Sequence, residues 1–214
     1  MPDQMTGALT RDELNATFDQ LAQRGGLLAC ISVDLDGFKS FNGAVGQLRG
    51  DTALREVAER VGGVVGSDGV VARVSGGTLV VLSDRWDLDA AESVAEQIAH
   101  AVLKLPVLRA NEPHELSESE CSDAKGHVFF FGPDDAGDYA IAPVRGIAPG
   151  LPKVDPTAGL SVTTAFISVS TGVSVMPASE TTLPILVRAA EDKVVEAKRR
   201  LPDWGELLRL RQER

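Results

Sequence analysis

Two aspartates, Asp34 and Asp36, close an apolar run and open a glycine turn in VDLDGFKSFN, residues 33–42. Carboxylates at a strand end beside a loop can hold Mg²⁺. The amides of the Gly37-Phe38-Lys39 turn can hold phosphate oxygens. The same residues also admit a structural reading, in which two acids cap a strand and start a turn. Asp51 ends GQLRGD, residues 46–51, just ahead of a helical period, and there suits a helix N-cap. RVSGGTLVVL, residues 73–82, places a glycine pair between two apolar runs, the pattern of a tight hairpin. It is either an active-site hairpin without carboxylates or a turn that needed glycine. His114, Cys121, His127, Asp134, Asp135 and Asp138 are metal-capable types, but their spacing matches no tight ligand pattern. A solvated surface excursion is expected there.

These residues need elements to position them. Arg11 to Arg24 carries Leu14, Phe18 and Leu21 on one face, which predicts a helix capped by Thr10 and ended by Gly25-Gly26. Leu27 to Leu35 is apolar nearly throughout, as in a central strand buried on both faces. Asp51 to Val64 is helical by period, with Leu54, Val57, Ala58 and Val61 in one stripe. Val70–Val74 and Leu79–Leu82 are the strands of the hairpin. Ala91 to Leu105 is a further amphipathic helix, with Ala91, Val94, Ile98 and Val102 inward. Residues 106–160 change in composition, and Glu112 to Asp123 reads as a solvated acidic loop. His127 to Phe131 suits a short strand, Val162 to Met176 one long alternating strand, and Thr182 to Leu201 the last helix. Strands alternating with helices, plus one hairpin, predict an α/β sheet of mixed direction.

The bulk numbers bound the function. The chain has 214 residues, 43% of them hydrophobic, and a net charge of −10. Such a chain suits one sizeable domain, and its acidity disfavours nucleic acid, whose phosphates attract a basic face. No apolar stretch is long enough for a transmembrane helix, and no signal peptide is apparent. Two cysteines, Cys30 and Cys121, make no disulfide framework. A cytoplasmic protein without a membrane partner is expected.

The order of motifs resembles the GGDEF family, the diguanylate cyclases, which condense two GTP molecules into cyclic di-GMP. The family opening D-x-L-T-G-L-x-N-R resembles the run Asp3, Gln4, Met5, Thr6, Gly7, Ala8, Leu9, Thr10 and Arg11. Its metal strand D-x-D-x-F-K-x-x-N-D is similar to Asp34, Asp36, Phe38, Lys39 and Asn42, with Gly43 in place of the last acid. Its G-H-x-x-G-D-x-x-L meets Gly46, Gln47, Gly50, Asp51 and Leu54. The signature R-x-G-G-D-E-F falls on Arg73, Val74, Ser75, Gly76, Gly77, Thr78 and Leu79. The late strand v-S-x-G-v falls on Val169, Ser170, Gly172 and Val173. The last-helix pattern A-D-x-A-l-Y-x-A-K meets Ala190, Glu191, Lys193, Val194, Val195, Ala197 and Lys198. The resemblance covers nearly the whole chain except residues 106–160. It implies one GGDEF-like domain over 1–214 with an irregular insertion at about 106–160. It also implies an α+β fold, a palm-like, mostly antiparallel central sheet wrapped by helices, as in nucleotide cyclases.

By the same resemblance Asp34 is the metal aspartate, with Asp36 beside it, and Asn42 and Asp51 contact guanine. The amides of Gly37, Phe38 and Lys39 receive phosphates, and Lys198 helps neutralise them. Mg²⁺ would accompany the bound nucleotide. The signature differs: Gly77 stands where an acid binds metal, and Thr78 where an acid is needed for catalysis. The inhibitory R-x-x-D would end near Asp68, with Val65 in place of its arginine. Three functions follow. The first is a non-catalytic module that binds GTP or a protein partner, the latter through the 106–160 insertion. The second is an active cyclase or nucleotidyltransferase with a relocated carboxylate, from Asp36, Asp134 or Asp135. The third is a scaffold without nucleotide. By the resemblance an active member must pair two domains face to face, each holding one GTP; a non-catalytic one has no such demand, and a homodimer through another surface stays open.

Overall fold

The computed structural model describes residues 2–104, 108–116, 128–131 and 160–199. In chain order the elements are α1 (Arg11–Arg24), β1 (Leu27–Leu35), α2 (Phe38–Val45), α3 (Gln47–Val65), β2 (Val70–Ser75) and β3 (Thr78–Ser83). Then come α4 (Leu88–Lys104), β4 (Leu108–Leu116), β5 (Val128–Phe131), β6 (Leu160–Ile167), β7 (Val169–Pro177), a 3₁₀ turn (Ala178–Glu180) and α5 (Leu183–Arg199). They group into two compact units, one of residues 1–34, 55–101 and 169–201, the other of 35–54, 102–168 and 202–214.

The first unit holds a four-stranded antiparallel sheet in the order β2-β3-β1-β7. This is the expected α/β architecture, antiparallel rather than mixed. β1 reads LLACISVDL, and Leu28 to Val33 are all buried, so both faces of the strand are covered. Its even-numbered side chains, Leu28 and Cys30, join Val80 and Leu82 of β3 and Ala72 of β2. Leu14 and Phe18 of α1 and Leu183, Leu186 and Ala190 of α5 close over them. Full burial of each large aliphatic or aromatic side chain stabilises the fold by about 1.5–3 kcal/mol. α1 starts at a capping box: Glu13 N–H donates to Thr10 Oγ1, and the Thr10 amide donates to the Glu13 carboxylate at 2.9 Å. Such a cap contributes about 1 kcal/mol.

β7 and α5 touch through their backbones. A Cβ at Gly172 would lie 2.2 Å from Ala190 O and 2.6 Å from Val194 N, so only glycine fits. Ser174 Oγ adds a 2.7 Å bond to Leu186 O across the same contact. Beneath α5, burial pushes the Cys30 thiol up to about 12, with the Glu191 charge adding to it and the Ser174 hydroxyl opposing it. A thiol held protonated and covered is inert. Maleimide at pH 7 is therefore expected to leave Cys30 unlabelled in the native protein and to label it in denaturant. Peptide mass spectrometry reads this directly, and rapid native labelling of Cys30 would contradict the packing described.

The second unit carries a three-stranded sheet in the order β4-β6-β5, both pairings antiparallel. The expected strand at 127–131 is present as β5. The acidic loop expected from Glu112 is instead strand as far as Leu116; residues 117–123 lie outside the described residues. The β4 register slips between Arg109 and His114, around Pro113, which has no amide to give a ladder. Three further differences matter for the site. The long strand expected over 162–176 is two strands, β6 and β7, parted at Ser168. A helix, α2, occupies the stretch read as a glycine turn. The helix expected from Asp51 begins four residues earlier, at Gln47.

Candidate functional site

The hairpin closes against the end of β1. β1 and β3 pair antiparallel with Asp34 opposite Thr78. Thr78 Oγ1 donates to Asp34 Oδ1 at 2.9 Å. The other carboxylate oxygen, Oδ2, is paired with Lys198 Nζ from the last turns of α5. The Asp34 side chain is 26% exposed and that of Lys198 39%, so the ion pair is hydrated. Its Coulombic part is worth no more than about 1 kcal/mol. The structure thus brings together three residues that the sequence places 44 and 164 positions from one another.

The turn itself is held by Arg73. Its Nε and Nη2 donate to Gly76 O at 3.3 and 3.1 Å, while Nη1 faces Asp3 at 3.5 Å. Burial raises the Asp3 carboxyl, but the Thr6 hydroxyl and amide and Arg73 outweigh it and hold it below its ordinary value. Gly76 has no positive φ, and a Cβ there would meet nothing within 4 Å. The fold does not require glycine at 76. Ser75 is exposed, Gly77 half-buried, and Leu79 fully buried as the anchor of β3.

A second group lies in the other unit. Gly37, at φ +65°, turns the chain into α2, and no side chain caps the first amides of that helix. Phe38 stacks on Phe41, ring centroids 6.3 Å apart, and Lys39 is exposed in the first turn. Asn42 sits near the end of α2. Its Oδ1 is buried with no hydrogen-bond partner among the described residues, a state that native proteins seldom leave unexplained. It rests against Gly50 in the first turn of α3, where a Cβ would lie 1.6 Å away. Asp51 follows Gly50, one turn inside α3 and half-buried. It is not the N-cap that the sequence suggested, so its carboxylate has no capping duty. The reason is local: Gly46, at φ +83°, ends α2 and lets α3 start at once.

Asp36 is 2% exposed. Ser168 Oγ donates to its Oδ2 at 2.8 Å, and the Asp36 amide donates to Ser168 O at 2.9 Å. This double link fixes the point where β6 gives way to β7. The sequence offers no sign of Ser168, because Ile167, Val169 and Val173 keep the alternation of one continuous strand. Gly50 was missed as the neighbour that makes room for Asn42, although the GQLRGD motif contains it. His114 lies in β4, while Cys121, His127, Asp134, Asp135 and Asp138 lie outside the described residues.

The donor set can be compared with what a divalent ion needs. Mg²⁺ takes about six oxygens in an octahedron, usually one or two carboxylates plus substrate phosphates. Asp34 offers one carboxylate, with Thr78 on one oxygen and an ammonium on the other. Gly77 offers no ligand, and Asp36 is bonded to Ser168. Among the described residues no group of three His, Cys, Asp or Glu side chains could hold a metal ion. The described residues supply a single carboxylate that is already paired, too few anionic oxygens to hold Mg²⁺ on their own. Among the described residues no helix is long and apolar enough to cross a membrane.

Comparison with known proteins identifies the family. Residues 1–120 match the family model "Diguanylate cyclase, GGDEF domain". The bifunctional diguanylate cyclase/cyclic di-GMP phosphodiesterase MucR of Pseudomonas aeruginosa is 32% identical over 120 residues, 56% of this chain and 16% of MucR. The cyclic di-GMP phosphodiesterase NbdA of the same organism is 38% identical over 86 residues, 38% of this chain and 11% of NbdA. The chain thus matches only a small part of these longer relatives. Among solved structures, the FimX GGDEF domain from P. aeruginosa superposes with a TM-score of 0.61 at 14% identity, over 94% of this chain and 96% of that one. Diguanylate cyclase SiaD, solved with its activator SiaC, gives 0.61 at 20% identity, over 92% of this chain and 58% of that one. With the shared sheet, the matching motifs and a family model spanning more than half its length, this chain belongs to the GGDEF, diguanylate cyclase domain, family.

Proposed function

We propose that this chain is a GGDEF domain with a degenerate signature, which binds a guanine nucleotide without turning it over and serves as a regulatory module in cyclic di-GMP signalling. The observation that carries the reading is the partner of Asp34. Across the β1–β3 pairing it faces a threonine hydroxyl at the position where the family signature has an acid. Phosphoryl transfer to a hydroxyl needs developing charge neutralised and the attacking oxygen activated. Gly77 and Thr78 supply neither an anion nor a base. Asp36, the nearest candidate for a relocated ligand in sequence, is committed to Ser168.

Two observations support a retained base site. Asn42 keeps a buried carboxamide oxygen with no partner among the described residues. Asp51 keeps a carboxylate that the helix does not use as a cap. A paired amide and carboxylate can read the donor and acceptor edge of guanine, and the uncapped amides opening α2 suit a phosphate. The hairpin glycine at 76, which the fold does not demand, fits a loop once shaped for close approach of a ligand. The names of the relatives place such domains in cyclic di-GMP metabolism, and we extend that setting to this chain.

Gly50→Ala separates function from folding. The new methyl meets only the tip of the Asn42 side chain, which can swing away. Alanine also favours a helix interior by up to about 1 kcal/mol over glycine. Melting temperature should hold or rise. GTP affinity, measured by equilibrium dialysis, should fall at least about tenfold, the cost of roughly one good hydrogen bond. Asn42→Ala should fall as far. Unchanged affinity in both variants would remove Asn42 from the site.

A further inference from the structure

We infer that Lys198 is a built-in counter-ion of Asp34, and that this ion pair, locked by Thr78, closes the metal position to divalent cations. The family reading assigns Asp34 to a metal and Lys198 to a phosphate. The geometry joins the two instead. Asp34 Oδ2 meets the Lys198 ammonium, Oδ1 accepts from Thr78, and neither partner leaves a lone carboxylate for a cation. A divalent ion arriving there would have to displace a positive charge and then find further anionic ligands. The register supplies none, because the residue opposite Asp34 is Thr78 and the turn beside it is Gly76-Gly77.

The charge count explains why this arrangement is self-consistent. A partly exposed carboxylate at a strand end gains modestly from a compensating charge. In a metal-using site the ion supplies it. Here α5 supplies it, and Gly172 makes that approach possible by letting α5 lie directly on β7. The consequence for ligand binding rests on the nucleotide reading above: a nucleoside triphosphate taken by this chain is taken as the uncomplexed anion, and chelating Mg²⁺ does not weaken it.

Mn²⁺ is the probe, since its free aquo ion has a sharp paramagnetic resonance signal that disappears on binding. With the whole chain in excess over Mn²⁺, the signal is expected to persist at millimolar protein. The double variant Thr78→Glu with Lys198→Met places a second carboxylate opposite Asp34 and removes the ammonium. It should take up Mn²⁺ at least tenfold more tightly than the unmodified protein, and Asp34→Asn on that background should abolish the gain. Loss of signal with the unmodified protein, reversed by Asp34→Asn, would overturn the inference. A double variant with an unchanged circular dichroism spectrum that gains no Mn²⁺ would overturn it as well. GTP dialysis with and without EDTA completes the test. Equal affinities are expected, and binding abolished by EDTA would overturn metal independence. Absence of GTP binding under both conditions would defeat the nucleotide reading alone, because the Mn²⁺ result is read without nucleotide.

Discussion

Incubated with GTP and Mg²⁺, the protein is expected to release no cyclic di-GMP. On the proposed reading the effect is large, because Gly77 and Thr78 stand where the family signature has two acids. Each carboxylate or charge-stabilising donor removed from a phosphoryl-transfer site costs on the order of a hundredfold or more in rate. At the position facing Asp34, Thr78 provides a neutral hydroxyl that is already spent as a donor to Oδ1. Gly77 provides nothing. A hydroxyl near the usual alcohol pKa does not take a proton from an attacking ribose hydroxyl, nor does it bind a hard cation as an anionic oxygen does. Anion-exchange chromatography of overnight reactions checks this. Product accumulating in proportion to protein, and lost in Asp34→Asn, would mean that the carboxylate has been relocated after all.

The second large effect concerns Gly172. Gly172→Ala is expected to destabilise the protein by about 3 kcal/mol, the upper range for forcing an extra methyl into a packed interior. For a chain of this size that lowers the melting temperature by roughly 6–12 °C. The reason is that the new Cβ would strike backbone atoms of α5, Ala190 O and Val194 N, which cannot rotate away. Strand and helix must separate, and Leu186 and Ala190 lose their packing in the core. Gly76→Ala is the matched comparison. Its methyl would point into open space with no strained φ, so stability should change by less than about 0.5 kcal/mol. Equal melting temperatures for the two variants would contradict the close contact of β7 with α5.

Much of the first unit was legible because its signals are local. α1 is bounded by a cap and a glycine pair that act within a few residues, and both ends match expectation. β1 is a continuous apolar run, and its burial follows from that composition. The rest depends on contacts distant in sequence. α2 reads FKSFNGAV, with serine, asparagine and glycine, all weak helix formers. Burial of Phe41, which is 0% exposed, overrides that weakness. The first turn of α3 was invisible to periodicity because Leu48 is 85% exposed and adds nothing to the apolar stripe. The break at Ser168 is set by Asp36, 132 residues away.

The candidate site divides the same way. The motif order placed Asp34, Thr78 and Lys198 in one family pattern, and the strand register then made the first two neighbours. The pairing of Lys198 with Asp34 was not legible, since residue types alone suit a lysine equally to phosphate or carboxylate. Asp51 shows the reverse. Its type and position suggested a helix cap, and only the earlier start of α3 frees it from that role. A turn glycine can likewise mislead: the pair at 76–77 looks like a steric requirement, yet position 76 has room for a side chain.

Calorimetric titration of GTP into the protein tests the central claim most directly. The account predicts discrete injection heats that saturate at one nucleotide per chain, with the same affinity in Mg²⁺ and in EDTA. Sustained heat after each injection would reveal turnover and contradict the loss of catalysis. A flat trace would contradict the retained guanine site.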